Sequence, residues 1–176
     1  PHFELLIRFA AETGLRIGEL AGLQGGDYQS TNHTIDVKRQ LLKDTTPPIY
    51  GDPKTAAGIR SLTLSPTLAA RVEAVGAVGH APVFTSTGGG LLNVSNFRRR
   101  HFTPAVSAAG LGHVRIHDLR HSAISWWINR GATIKQVTAR AGIASVATAF
   151  DRYGHILPNE DRDLARRLHQ PVIPSI

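Results

Sequence analysis

Glycine set just past a short apolar-periodic run is the feature that most constrains this chain. It recurs at Gly14, Gly25-Gly26, Gly110, Gly131 and Gly142. A glycine there stops a helix, because it enters the left-handed region without a Cβ penalty. The chain is thus cut into short helices joined by turns. Residues 3–12 predict the first, with Phe3, Leu5, Leu6, Phe9 and Ala10 on one stripe. A second runs from Arg16 to Leu23. Ser65 and Pro66 open a third that reaches about Val78. Residues 94–109 form another, with Phe97, Phe102, Val106 and Ala109 inward. The helix from His117 to Arg130 turns Leu119, Ala123, Ile124, Trp127 and Ile128 to the core; Trp126, next to Trp127, faces another way. Thr133 caps a short helix holding Ile134 and Val137. Ser145 caps one from Val146 to about Arg152. A final helix spans roughly 161–169, with Leu164 and Leu168, ahead of a tail at 171–176.

Alternation of apolar and polar residues appears at 34–37 and 59–64, the latter with Leu62 and Leu64 inward. These are strands of one small antiparallel sheet. Residues 43–53, rich in Pro, Asp, Thr and Gly, read as a loop and 53–58 as a turn, which sets Lys54 at the tip or edge of the sheet. Val83-Phe84 is a brief buried strand. The expected fold class is α+β, mostly α-helical with a small antiparallel β-sheet. At 176 residues the whole chain is one domain.

Formal net charge is +7 with the nine His neutral, so a polyanion, nucleic acid first, is the natural partner. The Arg98-Arg99-Arg100-His101 run either faces a DNA backbone or is a solvated helix face. The chain has no Cys, which excludes disulfides, zinc ribbons and a thiol nucleophile and fits a cytosolic protein. No apolar run approaches the roughly 18 residues of a membrane span. With Pro1 at its start and no Met, it reads as a piece of something longer, with a partner domain expected upstream.

Chemistry concentrates in two segments, His117-Asp118-Leu119-Arg120-His121 and Asp151-Arg152-Tyr153-Gly154-His155. His117 and Arg120, three apart, share one face of a helix's first turn, where free N–H groups and the dipole already favour an anion. That combination suits a phosphate. Asp118 is a helix-start residue. His121 lies either in the core or beside the site. Tyr153 follows the break at Gly142, where it can be presented to that site. Arg16 and Glu19, one turn apart, pair on the surface or act at the site.

Four stretches, in order, carry a resemblance. ETGLRIGELAGLQGGD, PKTAAGIRSLTL, HDLRHSAISWWINRG and DRYGHILP resemble the two boxes, the lysine hairpin and the nucleophile segment of the tyrosine recombinase (phage integrase) family. The resemblance covers about residues 3–158, the family's C-terminal catalytic domain, with 159–176 as a C-terminal helix and tail. It implies the tyrosine recombinase catalytic-domain fold, with the N-terminal core-binding domain absent from this chain. Its implied activity is site-specific cutting and rejoining of double-stranded DNA through a 3′-phosphotyrosyl link. Arg16 and Arg120 would bind the phosphate and His117 would accept a proton. Lys54 would protonate the leaving 5′-oxygen, Tyr153 would be the nucleophile, and Glu19 would support Arg16. No metal or other cofactor is implied. The full-length protein would form a tetramer on DNA and this chain alone a monomer. Its DNA binding would be weak and salt-dependent. The setting would be the cytoplasm of a bacterium, from a bacterial or phage gene. One position departs from the family. Ile143 follows Gly142 where His or Trp is usual, and Arg140 or His155 would then compensate. The alternatives are an impaired recombinase-like DNA-binding domain and an unrelated helix-turn-helix regulator.

Overall fold

The computed structural model describes residues 2–157 and 165. Helix α1 (Glu4–Thr13) ends at Gly14, whose φ of 62° is the left-handed stop expected of it. Helix α2 (Ile17–Gly22) follows after Leu15 and Arg16. Strands β1 (Tyr28–Gln29), β2 (Thr34–Val37) and β5 (Arg60–Thr63) form an antiparallel sheet in the order β1-β2-β5. Its register sets Ile35 opposite Leu62 and Val37 opposite Arg60. Between β2 and β5 runs a second hairpin, β3 (Gln40–Lys43) with β4 (Ile49–Gly51).

This hairpin corrects the expected 43–53 loop and the single sheet. Its strands bury little, with Leu42, Lys43 and Ile49 exposed, so they lack the apolar alternation that signals a strand. Lys54 accordingly follows β4, on the way to a single 3₁₀ turn at Ala56–Gly58, and not at a β2–β5 tip.

Helix α3 (Pro66–Val75) starts at Ser65, whose Oγ accepts the Leu68 N–H, and stops at Gly76, three residues short of the expected end. Val83 and Phe84 are buried but form no strand; only their flanks make isolated bridges, Gln24 to Pro82 and Thr85 to Leu91. The expected 94–109 helix is three pieces, α4 (Val94–Phe97), a π-helical stretch Arg98–Phe102, and α5 (Thr103–Ala108). The π stretch has a reason in the sequence. Phe97 and Phe102 are five apart, and the wider i→i+5 turn lets both face the core, at 3% and 4% exposure. Ala109, expected inward, is exposed just past α5.

Helices α6 (Ile116–Asn129), α7 (Ile134–Ala141) and α8 (Val146–Tyr153) complete the described chain. Asp118 behaves as a helix-start residue, taking the Arg115 backbone N–H at 2.8 Å. The larger apolar cluster joins α1, α2, β2, β5 and α3 to α5. A second gathers Ala123, Ile124, Trp127 and Ile128 of α6, Val137 and Ala141 of α7, and Tyr153. Trp127 is core and Trp126 is 46% exposed, as expected of adjacent residues on different faces. The Trp127 indole N–H donates to the Glu12 carbonyl at 2.9 Å, tying α6 to the end of α1. Residue 165 apart, the helix and tail expected at 161–169 and 171–176 lie outside the described residues. Among the described residues no helix is long and apolar enough to cross a membrane.

Candidate active site

The site is built on the C-terminal end of α7. A helix leaves its last four carbonyls without intrahelical donors. Here each has one. Gly142, at φ 62°, donates to Ala139 at 3.2 Å and Ile143 donates to Thr138 at 3.0 Å, the paired bonds of a Schellman stop. Arg60 Nε donates to the Arg140 carbonyl at 2.8 Å, and Arg120 Nη2 to the Ala141 carbonyl at 2.6 Å. Arg16 Nη2 then reaches the Gly142 carbonyl at 3.4 Å. Three guanidiniums from β5, α6 and the start of α2 thus converge on three successive carbonyls. The negative end of the α7 dipole favours all three.

A carboxylate offsets the rest of their repulsion. Glu19 is wholly buried and takes Arg16 Nη1 at 2.7 Å, the Arg16 backbone N–H at 3.0 Å and Arg60 Nη2 at 3.2 Å. Burial pushes its pKa up, but Arg60 and Arg16 outweigh that and hold it below the usual 4.5. The expected alternative of a surface Arg16–Glu19 pair is thereby corrected, since Glu19 has no access to solvent.

Arg120 is 5% exposed and joins two helix ends, donating also to the Gly14 carbonyl at 2.7 Å. Burial and neighbouring Arg16 draw its pKa down to about 10 against the pull of Glu19, leaving it cationic at neutral pH. Its guanidinium acts electrostatically on Tyr153, which closes α8 at 4% exposure. The Tyr153 hydroxyl lies 2.9 Å from His121 Nδ1. Burial raises the phenol's pKa, with Arg120 and Arg152 opposing, so the hydroxyl is protonated at neutral pH. His117, one turn before His121, is exposed and meets the His121 ring edge-on, 4.9 Å between centroids. Partial desolvation, His121 and Arg120 lower its pKa, leaving it neutral near pH 7.

Arg16, Glu19, Arg120, His117 and Tyr153 therefore come together, and the sequence-based choice for His121 resolves to a place beside Tyr153. Lys54 is exposed, without a hydrogen bond or ion pair among the described residues. Its segment does reach the site, because Ala57, three residues on, packs against Gly142. Arg98, Arg99 and Arg100 are all exposed. Among the described residues no cluster of His, Cys, Asp or Glu fits a metal ion.

Residues 2–160 match the family model described as the phage integrase family. The chain belongs to the phage integrase family. It is 27% identical over 175 residues to the putative prophage phiRv2 integrase of Mycobacterium tuberculosis, covering 94% of this chain and 46% of that protein. The ICEBs1 integrase of Bacillus subtilis is 26% identical over 186 residues, at 94% and 48% coverage. The chain thus spans about half the length of these relatives. Among solved structures, the Tn1549 transposon integrase in complex with circular intermediate DNA superposes with a TM-score of 0.77 at 22% identity. That match covers 94% of this chain and 59% of the other. The catalytic domain of bacteriophage HP1 integrase has a TM-score of 0.65 at 18% identity and matches 100% of this chain and 87% of its own. The fold is therefore that of the tyrosine recombinase catalytic domain.

One residue of this site in the phage integrase chain escaped the sequence reading. Arg60 was passed over as part of an alternating strand. Its signal was present, since 60, 62 and 64 share the inward face, and a cation on a buried face needs partners. Ile143 occupies the position where the family resemblance expects His or Trp. It follows the Schellman glycine, where an apolar residue packs back on its helix, and it lies partly buried against the α6–α7 cluster. Of the suggested substitutes, Arg140 is engaged elsewhere. Arg140 bonds the Thr63 carbonyl at 3.2 Å and covers the Trp127 ring, and His155 is exposed.

Gly142 is fixed twice over. A Cβ there would meet the Ala57 carbonyl oxygen at 2.8 Å and Arg60 Nη1 at 2.9 Å, in addition to the left-handed φ. Gly142→Ala is expected to cost more than about 2 kcal/mol, read as a lowered urea midpoint at unchanged slope.

Proposed function

We propose that this chain is the catalytic domain of a site-specific DNA recombinase that cuts and rejoins DNA through a 3′-phosphotyrosyl intermediate. The observation that carries the reading is the convergence of Arg16, Arg120 and the paired Tyr153–His121 on the end of α7. A phosphodiester is anionic and resists attack. Two guanidiniums, held by carbonyls and Glu19, can bind its non-bridging oxygens and stabilise the charge of the pentacoordinate transition state. Tyr153 supplies the nucleophile. Its proton passes to the histidine pair on α6, and Lys54 protonates the 5′-oxygen that leaves. The energy of the broken bond stays in the phosphotyrosine and is available for rejoining. No metal is needed for this scheme.

A nicked suicide duplex made from DNA flanking the gene tests it. The complete gene product should form a covalent adduct that survives denaturation and maps by mass spectrometry to Tyr153. An adduct on another residue, or none despite DNA binding, would sink the reading. By resemblance the complete protein assembles as a tetramer on double-stranded DNA while this chain alone is a monomer, which light scattering with and without the duplex distinguishes.

The role of Lys54 has its own test. Lys54→Ala is expected to slow cleavage of the ordinary duplex by about 10²–10⁴-fold, the usual worth of a general acid. A duplex whose 5′-leaving atom is sulfur needs no such proton, and the variant should cut it nearly as fast as the parent does. Equal slowing on both substrates would remove Lys54 from that role. The exposed Arg98–Arg100 face is available to the DNA backbone. Alanine in place of an arginine that meets a phosphate should reduce the slope of log affinity against log salt by about one.

A further inference from the structure

Two histidines stand near Tyr153, and they are not equivalent. His121 Nδ1 is 2.9 Å from the hydroxyl, inside the range at which a general base must lie from the proton it takes. His117 is exposed, makes no hydrogen bond among the described residues, and touches the pair only through the edge of its ring. We propose that His121, and not His117, is the residue that takes the proton from Tyr153 during DNA cleavage and returns it on rejoining. This rests on the recombinase reading above and makes one of its steps specific.

The step balances without a further reactant. A lone pair on Tyr153 Oη forms the bond to phosphorus as the O–H bond breaks and the proton moves to His121 Nδ1. The bond from phosphorus to the 5′-oxygen breaks, and that oxygen takes a proton from Lys54. Nothing is oxidised or reduced. Rejoining runs the same transfers backwards.

The groups around His121 come from two helices. On its own helix it meets His117 and Asp118, and from α8 it meets Tyr153. The side-chain hydrogen bond from Arg115 holds the Asp118 carboxyl down at about 2, so an ionised carboxylate stands on the same helix turn at neutral pH. His117 is kept neutral by partial desolvation, His121 and Arg120, and so adds no standing repulsion. Its exposed position at the first turn of α6, beside the arginines, leaves it free to donate to a phosphate oxygen instead. For His121 Nδ1 to accept, the neutral ring must carry its proton on Nε2.

Two measurements decide the matter. The first uses this chain without DNA. In the ¹⁵N NMR spectrum of histidine-labelled protein, the neutral His121 ring should show an unprotonated Nδ1. A protonated Nδ1 in the neutral ring, donating to the phenol oxygen, would overturn the proposal with no variant needed. The second uses the complete gene product and the nicked suicide duplex under single-turnover conditions, from mildly acidic to mildly alkaline pH. His121→Asn keeps an acceptor oxygen near the place of Nδ1 but cannot take the proton. It should slow adduct formation by about 10²–10⁴-fold and abolish the acid limb of the rate profile. His117→Asn should keep that limb. The proposal fails if His121→Asn cleaves within a few-fold of the parent, if it retains the limb, or if the limb disappears with His117→Asn. A parent protein that forms no Tyr153 adduct would remove the recombinase reading and this step together, whereas a normal parent with an unaffected His121→Asn would remove this step alone.

Discussion

Tyr153→Phe is expected to reduce covalent attachment to DNA to background while leaving the fold almost untouched. The substitution removes one oxygen, and with it the proposed nucleophile and the 2.9 Å contact with His121. Loss of a catalytic nucleophile in other covalent enzymes costs on the order of 10⁶ in rate, beyond what an adduct assay detects. The structural cost is of another order. The ring remains in the buried cluster that holds Ala123, Ile124 and Ala141, so only the net worth of one hydrogen bond is lost, about 1 kcal/mol. Urea unfolding and the suicide-duplex assay on the same preparation would separate the two. A Tyr153→Phe protein that still forms adduct would mean that another residue attacks the phosphate.

Glu19→Ala is expected to do the reverse, with a large loss of stability and a loss of activity that follows from it. Glu19 gives three donors their acceptor, and two of them belong to buried or half-buried guanidiniums. Removing it leaves Arg60, with a side chain 7% exposed, as an uncompensated buried cation. Breaking a buried pair from one side costs about 3–5 kcal/mol, a large share of the stability of a domain this size. Glu19→Gln keeps the shape and should cost less. It should also change the response to acid. The folded-state pKa of Glu19 lies below its usual 4.5, because Arg60 and Arg16 outweigh the opposing effect of burial. Its contribution is fully present above that usual value and is lost as the pH falls through the folded-state value. The parent's urea midpoint should therefore drop on acidification through this window more steeply than that of Glu19→Gln. Equal acid sensitivity in the two proteins would mean that Glu19 is not held ionised as described.

These expectations share one physical basis. The α7 terminus collects three cations that would otherwise repel one another. Its carbonyls and Glu19 hold them in fixed directions before any substrate arrives. Donors ordered in advance need no rearrangement when charge develops on a phosphate, which makes such sites effective. Ile143, next in the chain after Gly142, packs its apolar side chain against the cluster beside it.

How much of this could be read in advance varied with the range of the interaction. The stops at Gly14, Gly110, Gly131 and Gly142 were legible, and each has a positive φ, because one residue's backbone preference decides them. Caps at Ser65, Thr133 and Ser145 were legible for the same reason, since each side chain accepts from an N–H three residues on. The β3–β4 hairpin was not. Its residues bury too little to show a pattern, and the two strands exist only by pairing with each other.

By itself, then, the sequence determined most of the short helices, the inward faces of α1 and α6, the strands at 34–37 and, within a residue at each end, 59–64, and the residue types of the site. The four ordered segments also pointed to the family that the comparison then showed. Tertiary structure alone decided which groups meet. Gly14, Ala141 and Gly142 contribute backbone carbonyls, which carry no signature in a side-chain alphabet, yet they hold Arg120 and Arg16. Arg120 and Gly14 are 106 positions apart, Arg16 and Gly142 are 126, and Tyr153 finds His121 across 32. Local propensity reaches a few residues along the chain. Pairings at these separations form only once the helices have packed and brought their ends together.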